Sequence, residues 1–211
     1  MWTREHLKCA KQFKCLYPEF KKHFFELIPQ QTDSLITRCW VIVDNGHLAA
    51  YIALQASTLE FQNSDGTNDV MKMDDGDFQT CPAIRISLLA ADVQAKGAGK
   101  RLVLWALNDI VENIAPRIGA RFVRVEAFYD VTETAGKSTA KPYDSSGFYA
   151  KLGFRYSNPQ QRLPPKESFR AMYLDLKRLE LRKAKMFKKI ATQEHSSTRS
   201  ATLLRLSEAD K

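Results

Sequence analysis

Residues 94–99, Gln-Ala-Lys-Gly-Ala-Gly, constrain this chain more than any other stretch, because of what stands on either side of them. Residues 83–91 before them are mostly apolar and free of glycine and proline, which predicts a largely buried strand. After them, Val103, Ala106, Leu107, Ile110, Val111 and Ile114 recur at helical spacing, while Asn108, Asp109, Glu112 and Asn113 fill the other face. The order is strand, glycine loop, helix. Loop amides then converge at a helix N-terminus, where unpaired N–H groups and the helix dipole attract phosphate. Gly97 and Gly99 would let a pyrophosphate approach the backbone with no Cβ in between. A dinucleotide fingerprint would need a third glycine, and a Walker loop would need four residues between the glycines and Ser or Thr where Arg101 stands.

Composition narrows the class. The 211 residues suffice for one domain with an appendage, and an apolar fraction of 44% belongs to a globular chain. No run of eighteen apolar residues occurs, so no membrane-spanning helix is expected, and the opening Met-Trp-Thr-Arg-Glu-His has no secretory character. Cys9, Cys15, Cys39 and Cys81 are scattered, which reads as reduced thiols in a cytoplasmic protein with no metal site. The net charge of +8 is uneven: residues 177–211 hold ten Lys and Arg against four acids. Residues 60–80 reverse the sign, with six acids against Lys72. A basic end suits a polyanionic partner or a solvated charged helix.

Taken in order, residues 19–28 predict a helix that buries Phe20, Phe24, Leu27 and Ile28 and stops at Pro29. Lys21, Lys22 and His23 fall on its other face as solvated charge. Residues 38–43 and 47–54 predict a hairpin around Asp44-Asn45-Gly46, with His47 at the surface. Residues 60–80 read as a long mobile loop with a short strand near 70–73; they lack the residue order of a calcium loop. Pro116 and Gly119 end the long helix, and residues 121–128 alternate as a strand, which makes a parallel crossover. Residues 130–141 read as a loop, 145–154 as a short helix capped by Gly153, and 168–176 as the last strand. Residues 179–190 suggest a basic helix and 191–211 a polar, weakly ordered tail.

Gln94, Gly97 and Gly99 between strand and helix resemble motif A of the GNAT superfamily of acyl-CoA-dependent N-acyltransferases, and residues 147–154 (Gly-Phe-Tyr-Ala-Lys-Leu-Gly-Phe) resemble its motif B. The resemblance implies an α/β fold: a mixed, mostly antiparallel sheet with a central splayed parallel pair, flanked by helices, over residues 1–176, with 177–211 as a basic helix and polar tail. It implies acetyl-CoA as cosubstrate, with Leu89, Ala90 and Ala91 along the pantetheine arm and Gln94, Ala95, Lys96, Gly97, Ala98, Gly99 and Lys100 around the pyrophosphate. An amine would attack the thioester directly. Tyr149 matches the tyrosine that protonates the leaving thiolate in the family, and Glu126 is the carboxylate placed to act as base. Phe13-Lys14-Cys15, Trp40-Val41-Ile42-Val43-Asp44 and Leu88-Leu89-Ala90-Ala91-Asp92 are further similar to the toxin-type GNATs that acetylate aminoacyl-tRNA, although the opening here is Phe-Lys-Cys-Leu where theirs is Phe-Asp-Cys-Gly. The acceptor stays open among a tRNA-linked amine reached through the basic C-terminal segment, a protein amine and a small amine. A non-catalytic, nucleic-acid-binding module of this shape is the alternative of a different class, and a homodimer stays open.

Overall fold

A computed structural model describes residues 1–62, 68–69, 71–73, 76–78, 80–130, 143–158 and 168–179. The chain divides into two units, Met1–Leu174 and Asp175–Lys211. In the second, residues 175–179 are described, so the expected basic helix and tail lie outside the described residues.

Two helices open the first unit, α1 (His6–Cys9) and α2 (Pro18–Asp33). The hairpin of β1 (Arg38–Asp44) and β2 (His47–Gln62) follows, turning through Asn45 and Gly46, both at positive φ (48° and 77°), as an Asn-Gly turn requires. Short strands β3 (Asn68–Asp69), β4 (Met71–Met73) and β5 (Gly76–Phe78) precede β6 (Thr80–Ala91). After α3 (Ala98–Asp109) come a π-helical turn (Ile110–Ile114), α4 (Ala115–Ile118) and β7 (Phe122–Phe128). Helix α5 (Ser146–Lys151) and strands β8 (Arg155–Tyr156) and β9 (Phe169–Asp175) complete it.

The main sheet runs β1-β2-β6-β7-β9-β8, and β3 pairs with β2 off that path. The pairs β1/β2, β2/β6 and β8/β9 are antiparallel, while β6/β7 is parallel across the β6–α3–β7 connection. Side-chain alternation sends Cys39 and Tyr51 to one face, into a core with Phe13, Phe24 and Ile28. Trp40, on the other face, packs on Trp105 of α3 with the rings tilted at 53° and their centroids 5.7 Å apart. Helix α3 buries Val103, Ala106 and Leu107, as its periodicity predicts, and Leu102 as well.

Three local expectations need correction. Pro29 does not stop α2, which continues to Asp33. The lost N–H leaves the Phe25 carbonyl without its helical donor, but the helix is anchored by Phe24 and Ile28, both fully buried. Its end is also well satisfied, because the Gln31 carbonyl accepts the Ile36 and Thr37 amides at 2.9 and 3.2 Å. Residues 60–80 are not simply a loop either. Strand β2 continues to Gln62 opposite β6, with Glu60 across from Thr80, and β4 pairs with β5. The driving force is Leu59, buried, and Phe61, which packs on Phe122 and Tyr173 at 5.5 and 5.3 Å. Pro116, finally, does not end the long helix. The π-helical turn before it widens the ladder where the proline ring would clash with a carbonyl, and Gly119 (φ 71°) closes the element instead.

Candidate active site

The parallel ladder between β6 and β7 is short. It joins Ala83–Ile86 to Phe122–Val125, yet β6 runs on to Ala91 and β7 to Phe128. Beyond Ile86 the two strands part. A cavity of about 650 Å³ opens between them, walled by residues 85–91 on one side and Val125, Glu126 and Phe128 on the other. The segment from Cys15 to Phe20 and His23 also line it, as do Tyr143, Ser145, Phe148 and Tyr149, and Tyr17 meets Tyr143 at 5.5 Å. Antiparallel pairing fixes which backbone groups face it. The Asp92 amide donates to the Ala49 carbonyl at 2.8 Å, so the alternate residues Ala90 and Leu88 spend their peptide groups on β2. Leu89 and Ala91 turn theirs toward the unpaired edge.

The loop after β6 is organised by its own hydrogen bonds. Gln94 donates its amide to Asp92 Oδ1 at 2.8 Å, Ala95 to the Asp92 carbonyl, Lys96 to the Gln94 carbonyl and Ala98 to the Ala95 carbonyl. Of the seven residues expected around a pyrophosphate, these four have committed amides. The N–H groups of Gly97, Gly99 and Lys100 have no acceptor among the described residues and sit at the start of α3. Gly97 adopts φ 82°, which swings the chain into the helix. Gly99 lines the cavity, and a Cβ there would touch the Ala91 Cβ at 3.5 Å, an ordinary contact.

Tyr149 lies on α5 with its ring edge-on to Phe148 and Phe154, at 5.0 and 5.5 Å, and it is 5% exposed. Gly153 (φ 97°) ends that helix as the sequence predicts, and the Phe154 amide returns to the Tyr149 carbonyl. Burial, with a smaller contribution from neighbouring Tyr143, raises the Tyr149 hydroxyl well above the ordinary phenol range, so its proton is held firmly.

Glu126 also reaches the cavity, but both its oxygens face guanidinium groups. Oε2 lies 2.5 Å from Arg85 and Oε1 lies 2.9 Å from Arg124. The pattern of alternating Arg and Glu on adjacent strands made this visible only once the register Arg85↔Arg124 was fixed. Asp130, buried, accepts the Tyr17 hydroxyl at 2.9 Å and so ties the start of α2 across the cleft to the end of β7. Cys15, Tyr17, Glu19, His23 and Tyr143 line the cavity without having been singled out as site residues. His23 in particular does not lie on the solvated face of α2. Its offsets of three from Phe20 and four from Leu27 put it on the flank of the buried stripe, which is a signal the sequence does contain. No cluster of three potential metal ligands occurs among the described residues.

Parallel strands that part over a cavity, with a glycine loop and helix at one end, are shared with solved acetyltransferase structures. The fold is the GNAT fold. The structure of AtaT complexed with acetyl-methionyl-tRNAfMet matches at 20% identity over 82% of this chain and 90% of that one, with a TM-score of 0.58. AtaTR bound with AcCoA matches at 19% identity over 85% and 94%, with a TM-score of 0.58, and a tyrosine-to-phenylalanine mutant of KacT at 22% over 82% and 90%, with 0.56. No protein-family model matches the sequence, and no curated protein matches it either. Among the described residues no helix is long and apolar enough to cross a membrane.

Proposed function

We propose that this chain is an acetyl-CoA-dependent N-acetyltransferase of the toxin type, and that its acceptor is the amine of an aminoacyl-tRNA. One observation carries the acetyltransferase reading. An unpaired strand edge at Leu89 and Ala91, the unclaimed amide of Gly99, and Tyr149 all border one cavity, and the unclaimed amides of Gly97 and Lys100 lie close by in sequence. The edge suits the amide groups of a pantetheine arm, and the amides at a helix N-terminus suit a pyrophosphate. Direct attack by a bound amine then needs no covalent enzyme intermediate, because both reactants are held in one cleft. The Leu89 N–H is placed to polarise the thioester carbonyl. The departing thiolate needs a proton, and the Tyr149 hydroxyl is a proton donor on the wall of the same cavity.

The acceptor is argued from charge and likeness. The fold neighbours include AtaT complexed with acetyl-methionyl-tRNAfMet, and residues 177–211 add a surplus of six positive charges. Phosphate contacts from such a segment would give affinity that falls steeply with salt. The test is acetyl transfer from labelled acetyl-CoA to charged tRNA, a polyamine and a peptide amine, with the full chain and with a chain truncated after Leu176. Transfer to charged tRNA that the truncation weakens, with acetyl-CoA binding intact, is the expected result. Ready transfer to the polyamine or peptide with charged tRNA untouched at low salt would leave only the acetyltransferase. Absence of acetyl-CoA binding would favour the non-catalytic alternative.

A further inference from the structure

An attacking amine must shed a proton, and most acidic and basic groups on the cavity wall are already committed. Glu126 is held by Arg85 and Arg124, and the Tyr17 hydroxyl donates to Asp130. The Cys15 thiol donates to the Tyr17 carbonyl at 3.0 Å, and burial raises it further from ionisation. Glu19 and His23 remain. They stand four residues apart on one face of α2, both line the cavity, and neither has a hydrogen-bond or ion-pair partner among the described residues. His23 Nδ1 is sealed from solvent with nothing to bond, while Phe20 meets the ring edge-on at 6.2 Å and limits its rotation. The neighbouring lysines point elsewhere: Lys21 donates to the Lys11 carbonyl and Lys22 faces Glu26 at 3.8 Å. An imidazole left without partners at a cavity wall calls for an explanation, and a proton-transfer role supplies one.

We infer that His23 is the base that receives the acceptor amine's proton, with Glu19 beside it to steady the imidazolium; this rests on the acetyltransferase reading. Because Nδ1 is sealed from solvent, the proton would be taken at Nε2, with the resting ring proton on Nδ1. The amine nitrogen bonds to the thioester carbonyl carbon and gives one proton to the imidazole. The C–S bond breaks, and the thiolate takes the Tyr149 proton. Solvent then removes the proton from His23 and restores the one on Tyr149, so the products are an amide and a free thiol.

The experiment compares wild type, His23→Gln and His23→Gly in full-length protein, with charged tRNA and a series of amino-acid esters as acceptors. His23→Gln should lose about 100-fold in kcat while its acetyl-CoA affinity stays within about twofold. Added imidazole should restore a measurable part of the His23→Gly rate, which a purely structural role would not allow. Glu19→Gln should fall less, by about tenfold. A His23→Gln protein with wild-type kcat overturns the proposal, as does a His23→Gly protein that imidazole fails to restore. Wild type that binds acetyl-CoA but acetylates no amine would sink the acetyltransferase reading itself.

Discussion

The carboxylate of Asp92 accepts the backbone amide of Lys14 at 2.7 Å, across a separation of 78 residues. The Lys14 carbonyl in turn accepts the Val93 amide at 2.8 Å. Since the other Asp92 oxygen takes the Gln94 amide, one side chain joins the glycine loop to the segment that leads into Cys15, Leu16 and Tyr17. The glycine loop and the Cys15–Tyr17 wall of the cavity are therefore braced by the same group. Asp92→Ala should raise the KM for acetyl-CoA by about tenfold, because two amide-to-carboxylate bonds are lost near the loop. Titration with acetyl-CoA checks this, and unchanged affinity would reduce Asp92 to a local turn.

Gly97 and Gly99 should respond differently to a methyl group. Gly97 holds φ 82°, where an L-residue is strained, so Gly97→Ala should cost about 1–2 kcal/mol and weaken acetyl-CoA binding by misaiming the amides. Gly99→Ala meets only the Ala91 Cβ at 3.5 Å and should melt near wild type. Gly99→Glu should abolish acetyl-CoA binding with little loss of stability, because an anion would then fill the phosphate seat. Thermal melts alongside acetyl-CoA titration separate the three variants, and equal melting of the two alanine variants would contradict the strain assigned to Gly97.

Tyr149→Phe removes one hydroxyl from a ring already packed by Phe148 and Phe154. The expected loss is about 100-fold or more in kcat, with acetyl-CoA affinity preserved. Steady-state kinetics at saturating acetyl-CoA reads it directly. A variant with wild-type kcat would make Tyr149 a packing residue.

Alkali should destabilise the fold through its buried phenols. Burial raises the hydroxyls of both Tyr51 and Tyr149 far above the ordinary value of 10.0, at which the unfolded chain loses the same protons. The folded state thus holds more protons above that pH, so the stabilisation is complete below about pH 10 and declines as pH rises further. Tyr51 is fully buried and donates to the Phe20 carbonyl at 2.6 Å. Tyr51→Phe should cost about 1 kcal/mol at neutral pH yet show a shallower decline in alkali. Denaturant midpoints measured from pH 7 to 11 test both parts, and parallel curves would refute the second.

Much of this site can be read from the chain because its signals are local. Asp44-Asn45-Gly46 dictates its turn, the residues around Gly97 announce strand, loop and helix, and Leu152-Gly153-Phe154 closes α5. What escapes the sequence depends on distant partners. Pro29 looks like a stop because the amides of Ile36 and Thr37 that return to the Gln31 carbonyl and satisfy the later helix end are not visible in the sequence. Leu59 and Phe61 alternate correctly, but the acidic residues beyond them mask a strand whose apolar side needs Phe122 and Tyr173 to form. The glycine loop shows which amides exist and not which are free, since Asp92 and Gln94 consume several of them. Glu126 is a free carboxylate on paper and a bridged one in the sheet.

The short β6/β7 ladder has one more consequence. An unpaired strand edge is ordinarily an invitation to another chain, and proteins blunt such edges with charge, bulges or cover. The bare edge at Leu89 and Ala91 is guarded by confinement: it lines a cleft whose other walls include β7 and the segment before α2. A second polypeptide strand, which brings side chains on both faces, is a broad occupant for such a cleft. A slender, unbranched chain of amide links is not. Confinement would thus guard the same backbone against a second strand while leaving it open to a thread-like ligand.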